Sequence, residues 1–232
     1  MSEFLLVHGS CHGAWCWEEV IPELQARGHT ARALDLPSHG ADPTPPEAVT
    51  LDLYAEAILA AIDGPVTLVG HSMGGFPITA AALIAPEKID RLIYLCAYVP
   101  IPGKGLAEMR RMAPRQPLID AIEVSEDRVT FTVKPERARE VFFHDVADET
   151  AARAVARLGP QPILPQETPL PALPDVPRRY IRCADDRTIP PEFQCTMTAD
   201  WPPEHVLTLT ASHSPFLSMP ARLADTLIAL AK

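Results

Sequence analysis

Short apolar runs alternate with longer amphipathic segments along the first hundred residues of the chain. The runs EFLLVH, HTARALDL, VTLVG and RLIYLCAYV have the length and composition of β-strands, and the segments between them have helical spacing of apolar residues. Strands that are separated by helices are typical of βαβ units, whose parallel strands are buried on both faces. This part of the chain therefore predicts a parallel sheet covered by helices.

The alternation stops near residue 100 and resumes near residue 178. Between these points the pattern indicates helical pieces, PERAREVFFHDV and DETAARAVARLG, and a proline-dense segment, PQPILPQETPLPALPDVP. Proline disfavours helix interiors and central strands, so we expect that segment to be a surface connection. Strands RRYIRCAD and HVLTLTAS and helices PPEFQCTMTAD and PARLADTLIALAK follow. The sequence thus predicts one α/β core, residues 1–99 and 178–232, with a helical cap inserted at residues 100–177.

Composition and charge narrow the class of protein. The chain has 232 residues, 47% of them hydrophobic and 22% charged, and no apolar run approaches the roughly 20 residues of a membrane helix. The formal net charge of -10 argues against nucleic acid as a partner. The N-terminus MSEFLLVHG has no basic region or cleavage site, so we expect a cytoplasmic protein. The sequence leaves the oligomeric state open, with a homodimer as one option.

The cysteines support the same location. Their number is odd and they are scattered through apolar surroundings, which favours reduced thiols over a disulfide framework. They are Cys11, Cys16, Cys96, Cys183 and Cys195.

The segment VTLVGHSMGGFP carries the first candidate chemistry. Residues Gly70 to Gly74 fit the pattern G-x-S-x-G at the end of a predicted strand and the start of a predicted helix, which is the context of a nucleophile elbow. A glycine-rich turn after a strand is common, so the motif needs support from other residues. A serine nucleophile requires a base and an acidic residue that holds the base. Ser72 is the candidate nucleophile.

Both partners occur after later strands, in the order Ser, Asp, His. Asp185 and Asp186 follow the strand RRYIRCA, and His213 follows HVLTLTA. The ends of parallel strands are where open α/β sheets bind ligands, so these residues are expected to meet Ser72. We favour Asp186 because it begins the turn that leads into the next helix, and Asp185 is the alternative.

The remaining histidines have simpler interpretations. His29 and His205 begin predicted strands, His144 lies on a predicted cap helix and His39 lies in a loop, so each favours a surface or packing role. His71 precedes the serine in a tight turn and is interpreted as a supporting group.

The loop VHGSCHGAW, after the first strand, is the candidate source of an oxyanion donor. The transition state of acyl transfer needs at least two preorganised donors. The backbone N–H groups of Met73 and Ser10 are the predicted pair. His8, Cys11, His12 and Cys16 offer a rival interpretation as a metal cluster, but their spacing matches no zinc signature, and a serine mechanism needs neither a metal nor another cofactor.

With these residues assigned, the chain resembles the α/β-hydrolase superfamily, and more narrowly the branch of plant methyl esterases and hydroxynitrile lyases. The resemblance is carried by LVHGSCHGAWCWEEVIPELQARGHTARALDLPSHG, GHSMGG, DRTIPPEFQ and the region around His213. It implies an α/β-hydrolase fold, a triad of Ser72, Asp186 and His213, and an oxyanion hole from the N–H groups of Ser10 and Met73.

Two sequence positions distinguish the hydroxynitrile lyases of that branch from its esterases. The lyases carry threonine at the position of Gly9 and lysine at the position of Ser214, and both lyase residues are missing. The resemblance therefore implies an esterase for a small or hydrophobic ester, with relatives that include bacterial pyrethroid hydrolases. A lyase and a ligand receptor that does not hydrolyse remain as alternatives. Epoxide hydrolases and dehalogenases need an aspartate where Ser72 stands.

The predicted cap is expected to cover the pocket. Its large apolar residues either line the pocket or pack between cap and core, and apolar residues at helical spacing favour packing. They are Met109, Met112, Phe131, Phe142 and Phe143.

Overall fold

Six parallel strands form the central sheet. The computed structural model describes all residues, 1–232. The strands, in their spatial order across the sheet, are β2 (Thr30–Leu34), β1 (Glu3–Val7), β3 (Val66–His71), β4 (Ile89–Leu95), β8 (Arg178–Cys183) and β9 (Val206–Leu209). The predicted parallel sheet is confirmed.

Ten helices accompany the strands. They are α1 (Val20–Ala26), α2 (Leu51–Ala60), α3 (Gly75–Ile84), α4 (Leu106–Met112), α5 (Pro135–Phe142), α6 (Asp148–Arg157), α7 (Leu164–Glu167), α8 (Pro191–Met197), α9 (Pro215–Ser218) and α10 (Pro220–Leu230). None of them has both the length and the apolar character that a membrane crossing requires.

The core consists of two hydrophobic clusters, one on each face of the sheet. Successive side chains of a strand point to opposite faces, and in β1 Phe4 and Leu6 join one cluster while Leu5 and Val7 join the other. Helices α1 and α10 cover the first cluster, and α2 and α3 cover the second. Burial on both faces explains why these strands read as continuous apolar runs.

Strand register brings the functional loops together. Val7 pairs with Gly70, so the loop that follows β1 and the turn that follows β3 leave the sheet side by side. Strands β8 and β9 are parallel to both, so the loops after them open at the same edge. This is the edge at which open α/β sheets place their ligands.

Residues 100–177 lie between β4 and β8, and we call this segment the cap. It contains helices α4 to α7, and the sequence pattern had predicted that helical pieces occur in this segment. It also contains a three-stranded antiparallel sheet, which the prediction of a helical cap missed, formed by β5 (Ile122–Val124), β6 (Thr130–Val133) and β7 (Gln161–Pro162).

Two other expectations about the cap hold only in part or are wrong. The proline-dense segment is an irregular connection from residue 168 to residue 177, most of it exposed or half-buried, but its first part forms β7 and α7 and buries Gln161, Pro165 and Gln166. His144 does not lie on a helix, since it occupies the turn between α5 and α6. Both differences occur where the cap bonds to the core, through Gln166 to Ser10 and through Asp145 to Ser212, contacts that local sequence does not encode.

Candidate active site

Ser72 lies in a strained turn between β3 and α3. Its φ angle is +55°, in the left-handed region that non-glycine residues rarely adopt. The flanking glycines make the turn sterically feasible: a Cβ atom at Gly70 would lie 2.6 Å from the carbonyl oxygen of Gly74, and one at Gly74 would lie 2.8 Å from that of His8. The side chain of Ser72 is 7% exposed. The turn thus has the backbone geometry that the elbow motif predicts.

His213 and Asp186 form a buried pair at the same edge of the sheet. The Nδ1–H group of His213 donates to Asp186 Oδ2 over 2.8 Å, and neither side chain has appreciable contact with solvent. The opposite ring nitrogen, Nε2, is also buried and has no hydrogen-bond partner in the protein. A neutral imidazole in this tautomer has a free lone pair on Nε2, which is the state that a general base requires.

Asp186 is held by further donors. Its Oδ1 accepts from the backbone N–H groups of Thr188 at 2.7 Å and Ile189 at 3.0 Å, while Oδ2 also accepts from Gln194 Nε2 at 2.9 Å. Asp185 is exposed, and the carboxylate that bonds to His213 is that of Asp186. The structure therefore brings Asp186 to the histidine and leaves its neighbour in solvent.

His71 supports the loop that carries His213. Its Nε2–H group donates to the carbonyl oxygen of His213 over 2.9 Å, and the thiol of Cys96 donates to the same oxygen over 3.5 Å. Burial, followed by the neighbouring His213 and His12, holds the pKa of His71 well below its usual range. His71 therefore acts as a neutral donor, in agreement with the supporting role that the sequence suggested.

The loop after β1 packs directly against the nucleophile. A Cβ atom at Gly9 would lie 2.8 Å from Ser72 Cβ and 2.8 Å from His71 Nδ1. The loop turns through Cys11, whose φ angle is +64°, and His12 N–H donates to Gly9 O over 3.3 Å. The backbone N–H of Ser10 has no acceptor in the protein. Met73 is buried at the other side of the elbow, directly after Ser72.

His12 is a second neutral histidine in this region. Its Nδ1–H group donates to Ser10 O over 2.7 Å, and its ring stacks on Trp15 with the centroids 5.3 Å apart. Burial lowers its pKa to about 3. His12 therefore stays neutral at ordinary pH and holds the carbonyl group of Ser10.

The rival metal interpretation of this loop finds no support in the geometry. His8 uses Nδ1 to donate to Gly9 O at 2.8 Å and Nε2 to accept from Leu36 N–H at 3.1 Å, so both ring nitrogens are occupied by backbone groups. Potential ligand atoms converge within 4.8 Å at His71, Cys96 and His213 instead. Among these residues, His71 Nε2 and His213 Nδ1 are already hydrogen-bonded.

Three buried glutamines were missed by the sequence interpretation. Gln194 binds Asp186 as described, Gln166 donates to Ser10 Oγ over 2.8 Å, and Gln161 Oε1 accepts from Cys11 N–H over 3.3 Å. No sequence motif identifies a glutamine that supports an active site. The only indication in the sequence was an uncharged polar residue at a position that local packing would bury.

The apolar cap residues divide between the site and other surroundings. Phe142 stacks on the ring of His213 at 5.7 Å, and both Phe142 and Phe143 contact His12. Met109 and Phe131 are buried in the two core clusters, whereas Met112 is 49% exposed. Among the named cap residues, Phe142 and Phe143 at the end of α5 are therefore the two whose rings pack on histidines of the site.

Comparisons with known proteins identify the family and the fold of the chain. A sequence profile described as "Alpha/beta hydrolase family" matches residues 4–226. Methylesterase 18 of Arabidopsis thaliana is 33% identical, and the alignment covers 98% of this chain and 97% of the relative. A pyrethroid hydrolase of Sphingobium wenxiniae is also 33% identical, and the alignment covers 98% of this chain and 86% of the relative. The crystal structure of a pyrethroid hydrolase from Sphingobium faniae JZ-2 superposes with a TM-score of 0.88 at 30% identity, covering 99% of this chain and 97% of that one.

Proposed function

The chain belongs to the alpha/beta hydrolase family, and on that premise we propose that it is a serine-dependent carboxylic ester hydrolase that works through an acyl-enzyme intermediate. One observation carries the proposal: a buried His213 has Nδ1–H fixed by Asp186 and Nε2 free, at the sheet edge where Ser72 occupies a strained elbow. The relatives are named for ester hydrolysis, which is the same class of reaction.

The acylation step follows from the state of each group. Ser72 Oγ attacks the ester carbonyl carbon while His213 Nε2 takes the hydroxyl proton. Asp186, whose carboxylate is fixed by four hydrogen bonds, orients His213 and stabilises the imidazolium that forms. His213 then gives the proton to the departing alcohol. Water attacks the acyl-enzyme in the second half of the reaction, with His213 again as base.

Negative charge on the carbonyl oxygen requires donors near Ser72. The backbone N–H of Met73, directly after the nucleophile, and that of Ser10, in the loop packed on Ser72, are the proposed pair. The unsatisfied N–H of Ser10 supports this role, because a backbone donor without a protein acceptor is available for a ligand.

The geometry at Gly9 favours hydrolysis over the lyase alternative. Threonine occupies this position in the lyases to which the chain is similar, but a Cβ here would lie 2.8 Å from Ser72 Cβ. A contact below 3.0 Å forces a neighbouring atom to move. Ser214 also leaves the site without the lysine charge that would stabilise departing cyanide.

The substrate is proposed to be a small or hydrophobic carboxylic ester. Phe142 and Phe216 place aromatic surface against His213 and His71, and apolar walls with few polar groups are typical of small-molecule pockets. The names of the relatives, methylesterase and pyrethroid hydrolase, span both a small and a bulky ester. The cap is proposed to cover this pocket and set its specificity.

A cytoplasmic location is proposed on the state of the thiols. All five cysteines are free, and Cys11, Cys16, Cys96 and Cys183 are buried. Reduced cysteines of this kind are typical of reducing compartments.

The first experiment identifies the nucleophile. Wild type, Ser72→Ala and the control Ser218→Ala, whose hydroxyl has no hydrogen-bond partner, are incubated with a fluorophosphonate probe and weighed as intact proteins. Hydrolysis of nitrophenyl esters of graded acyl length is measured in parallel. We expect one adduct and turnover in wild type and Ser218→Ala, and neither in Ser72→Ala. Turnover by Ser72→Ala within a few-fold of wild type would refute the assignment.

A further inference from the structure

The side chain of Ser10 has an unusual hydrogen-bond state. Gln166 Nε2 donates to Ser10 Oγ over 2.8 Å. An amide nitrogen can only donate, so this contact uses a lone pair of the serine and leaves the hydroxyl proton unused. No carbonyl, carboxylate or ring nitrogen of the protein accepts that proton. The hydroxyl therefore has a proton available for a molecule in the site.

Ser10 follows the residue that packs on the nucleophile. Its predecessor Gly9 lies against the Cβ atom of Ser72, and its own N–H group also lacks a protein acceptor. Two donors of one residue, N–H and O–H, thus have no protein acceptor in the loop that packs on Ser72. An oxyanion that forms on Ser72 is the acceptor that both could share.

The surrounding loop is fixed by three other contacts. His12 Nδ1–H binds Ser10 O at 2.7 Å, and Gln161 Oε1 accepts from Cys11 N–H at 3.3 Å. Gly159 N–H donates to Cys11 O at 2.9 Å. Because Gln161, Gly159 and Gln166 all belong to the cap, the cap holds the loop on both sides of the Ser10–Cys11 peptide. Fixed donors need no reorganisation during the reaction, which is what makes them effective.

We propose that the Ser10 hydroxyl is a third oxyanion donor and that Gln166 is a positioning residue that keeps it a donor. The proposal rests on the proposed function, since it concerns the oxyanion of the same acyl transfer. No bond forms or breaks at Ser10, because its hydroxyl donates a hydrogen bond that strengthens as charge develops on the carbonyl oxygen.

Three variants test this role. Ser10→Ala removes the hydroxyl and keeps the backbone N–H. Gln166→Glu replaces the amide donor with an acceptor of similar shape, which would take the Ser10 proton for itself, and Gln166→Met removes the donor without adding an acceptor. Removing one oxyanion donor lowers kcat by about 100-fold to 1,000-fold in the best-studied case, and we expect a tenfold to hundredfold loss for one of three donors.

The expected pattern is specific. Ser10→Ala and Gln166→Glu should each lower kcat about tenfold to a hundredfold with KM within twofold, and Gln166→Met should lose less. The double variant Ser10→Ala/Gln166→Glu should be no worse than Ser10→Ala, because both changes remove the same hydrogen bond. Inhibition by a trifluoromethyl ketone, which forms a tetrahedral oxyanion, should weaken in proportion to kcat/KM, whereas a purely structural defect would not produce that proportion.

Two results would contradict the proposed roles of Ser10 and Gln166. Wild-type kcat in Ser10→Ala would exclude the hydroxyl as an oxyanion donor, and wild-type kcat in Gln166→Glu would exclude Gln166 as the residue that keeps it a donor. In either case an inactive Ser72→Ala, measured alongside, shows that only this inference has failed. Full turnover by Ser72→Ala would mean that the proposed function itself is wrong. Circular dichroism and thermal melts establish that each variant is folded.

Discussion

At the scale of single residues, Asp185 and Asp186 are neighbours in the chain with opposite environments. Asp186 is 2% exposed and binds His213, whereas Asp185 is exposed. Asparagine in place of Asp186 has a side chain of the same size. Whichever of its amide NH₂ group or its amide oxygen faces His213, it lacks the negative charge that stabilises the imidazolium. We expect Asp186→Asn to lower kcat by about 10⁴-fold, the loss typical of this change in a serine triad.

The matched control is Asp185→Asn, which should keep kcat within twofold. Steady-state hydrolysis of a nitrophenyl ester measures both variants, and circular dichroism shows that they are folded. An inactive Asp185→Asn beside an active Asp186→Asn would reverse the assignment of the acid.

The residues that the sequence could predict are those tied to strand ends. Ser72 has a motif, and Asp186 and His213 follow strands in a fixed order, so a parallel sheet brings them to one edge. Gln166 lies 156 positions from Ser10 along the chain, and its contact depends on how the cap folds back. Local pattern and spacing contain no information about such a contact, which is why the amide partners had to come from the structure.

At the scale of elements, the junction between β3 and α3 is packed too closely for any side chain at Gly75. A Cβ atom there would lie 2.1 Å from the backbone oxygen of Tyr98. Backbone cannot rotate away as a side chain can, so we expect Gly75→Ala to lower the free energy of unfolding by about 1–3 kcal/mol or more. Urea denaturation followed by circular dichroism measures the change.

Gly64 provides the control for this prediction. Apart from its two chain neighbours, no residue has an atom within 4 Å of the position a Cβ would take at Gly64, which precedes β3 in a loop. Gly64→Ala should therefore be neutral or add about 0.4–1 kcal/mol by reducing the entropy of the unfolded chain. Equal destabilisation by both substitutions would contradict the packing explanation.

The small cap sheet shows why element prediction was incomplete. Strands β5, β6 and β7 have three, four and two residues, which is too short for a period-2 pattern to stand out. Strand β7 also contains Pro162, which the sequence interpretation took as a signal against a strand. It lies at the edge of its sheet, where a missing N–H is tolerated. Cap–core contacts, rather than local propensity, select this conformation.

At the scale of the whole molecule, the cap and the candidate catalytic loops are joined by hydrogen bonds. Thr188 Oγ1 donates to Val141 O at 2.8 Å, and Ser212 Oγ donates to Phe142 O at 3.2 Å. Asp145 Oδ2 accepts from Ser212 N–H at 2.8 Å. The end of α5 therefore contacts the loop of Asp186 and the loop of His213 together, so the folding of the cap and the geometry of the site depend on each other.

Four buried histidines make the stability of this assembly depend on pH. Burial is the largest cause that lowers the pKa of His8, His12, His39 and His71, and for His12 the pKa falls to about 3. In the unfolded chain a histidine titrates near pH 6.5. Below that value the unfolded state binds protons that the native state excludes, so stability is full above about pH 6.5 and is lost as the pH falls toward the native pKa.

This linkage predicts the effect of His12→Asn on acid stability. Asparagine can keep a donor toward Ser10 O but cannot titrate, so the variant loses one proton-linked group. Between pH 6 and pH 5 the free energy of unfolding should fall less steeply than in wild type, by up to about 1.4 kcal/mol per pH unit. Urea titrations at several pH values measure the slope, which is independent of any uniform loss of stability from the substitution. Identical slopes would mean that His12 is protonated in the native protein. The conclusion that a neutral, buried His12 holds the Ser10 loop would then be wrong.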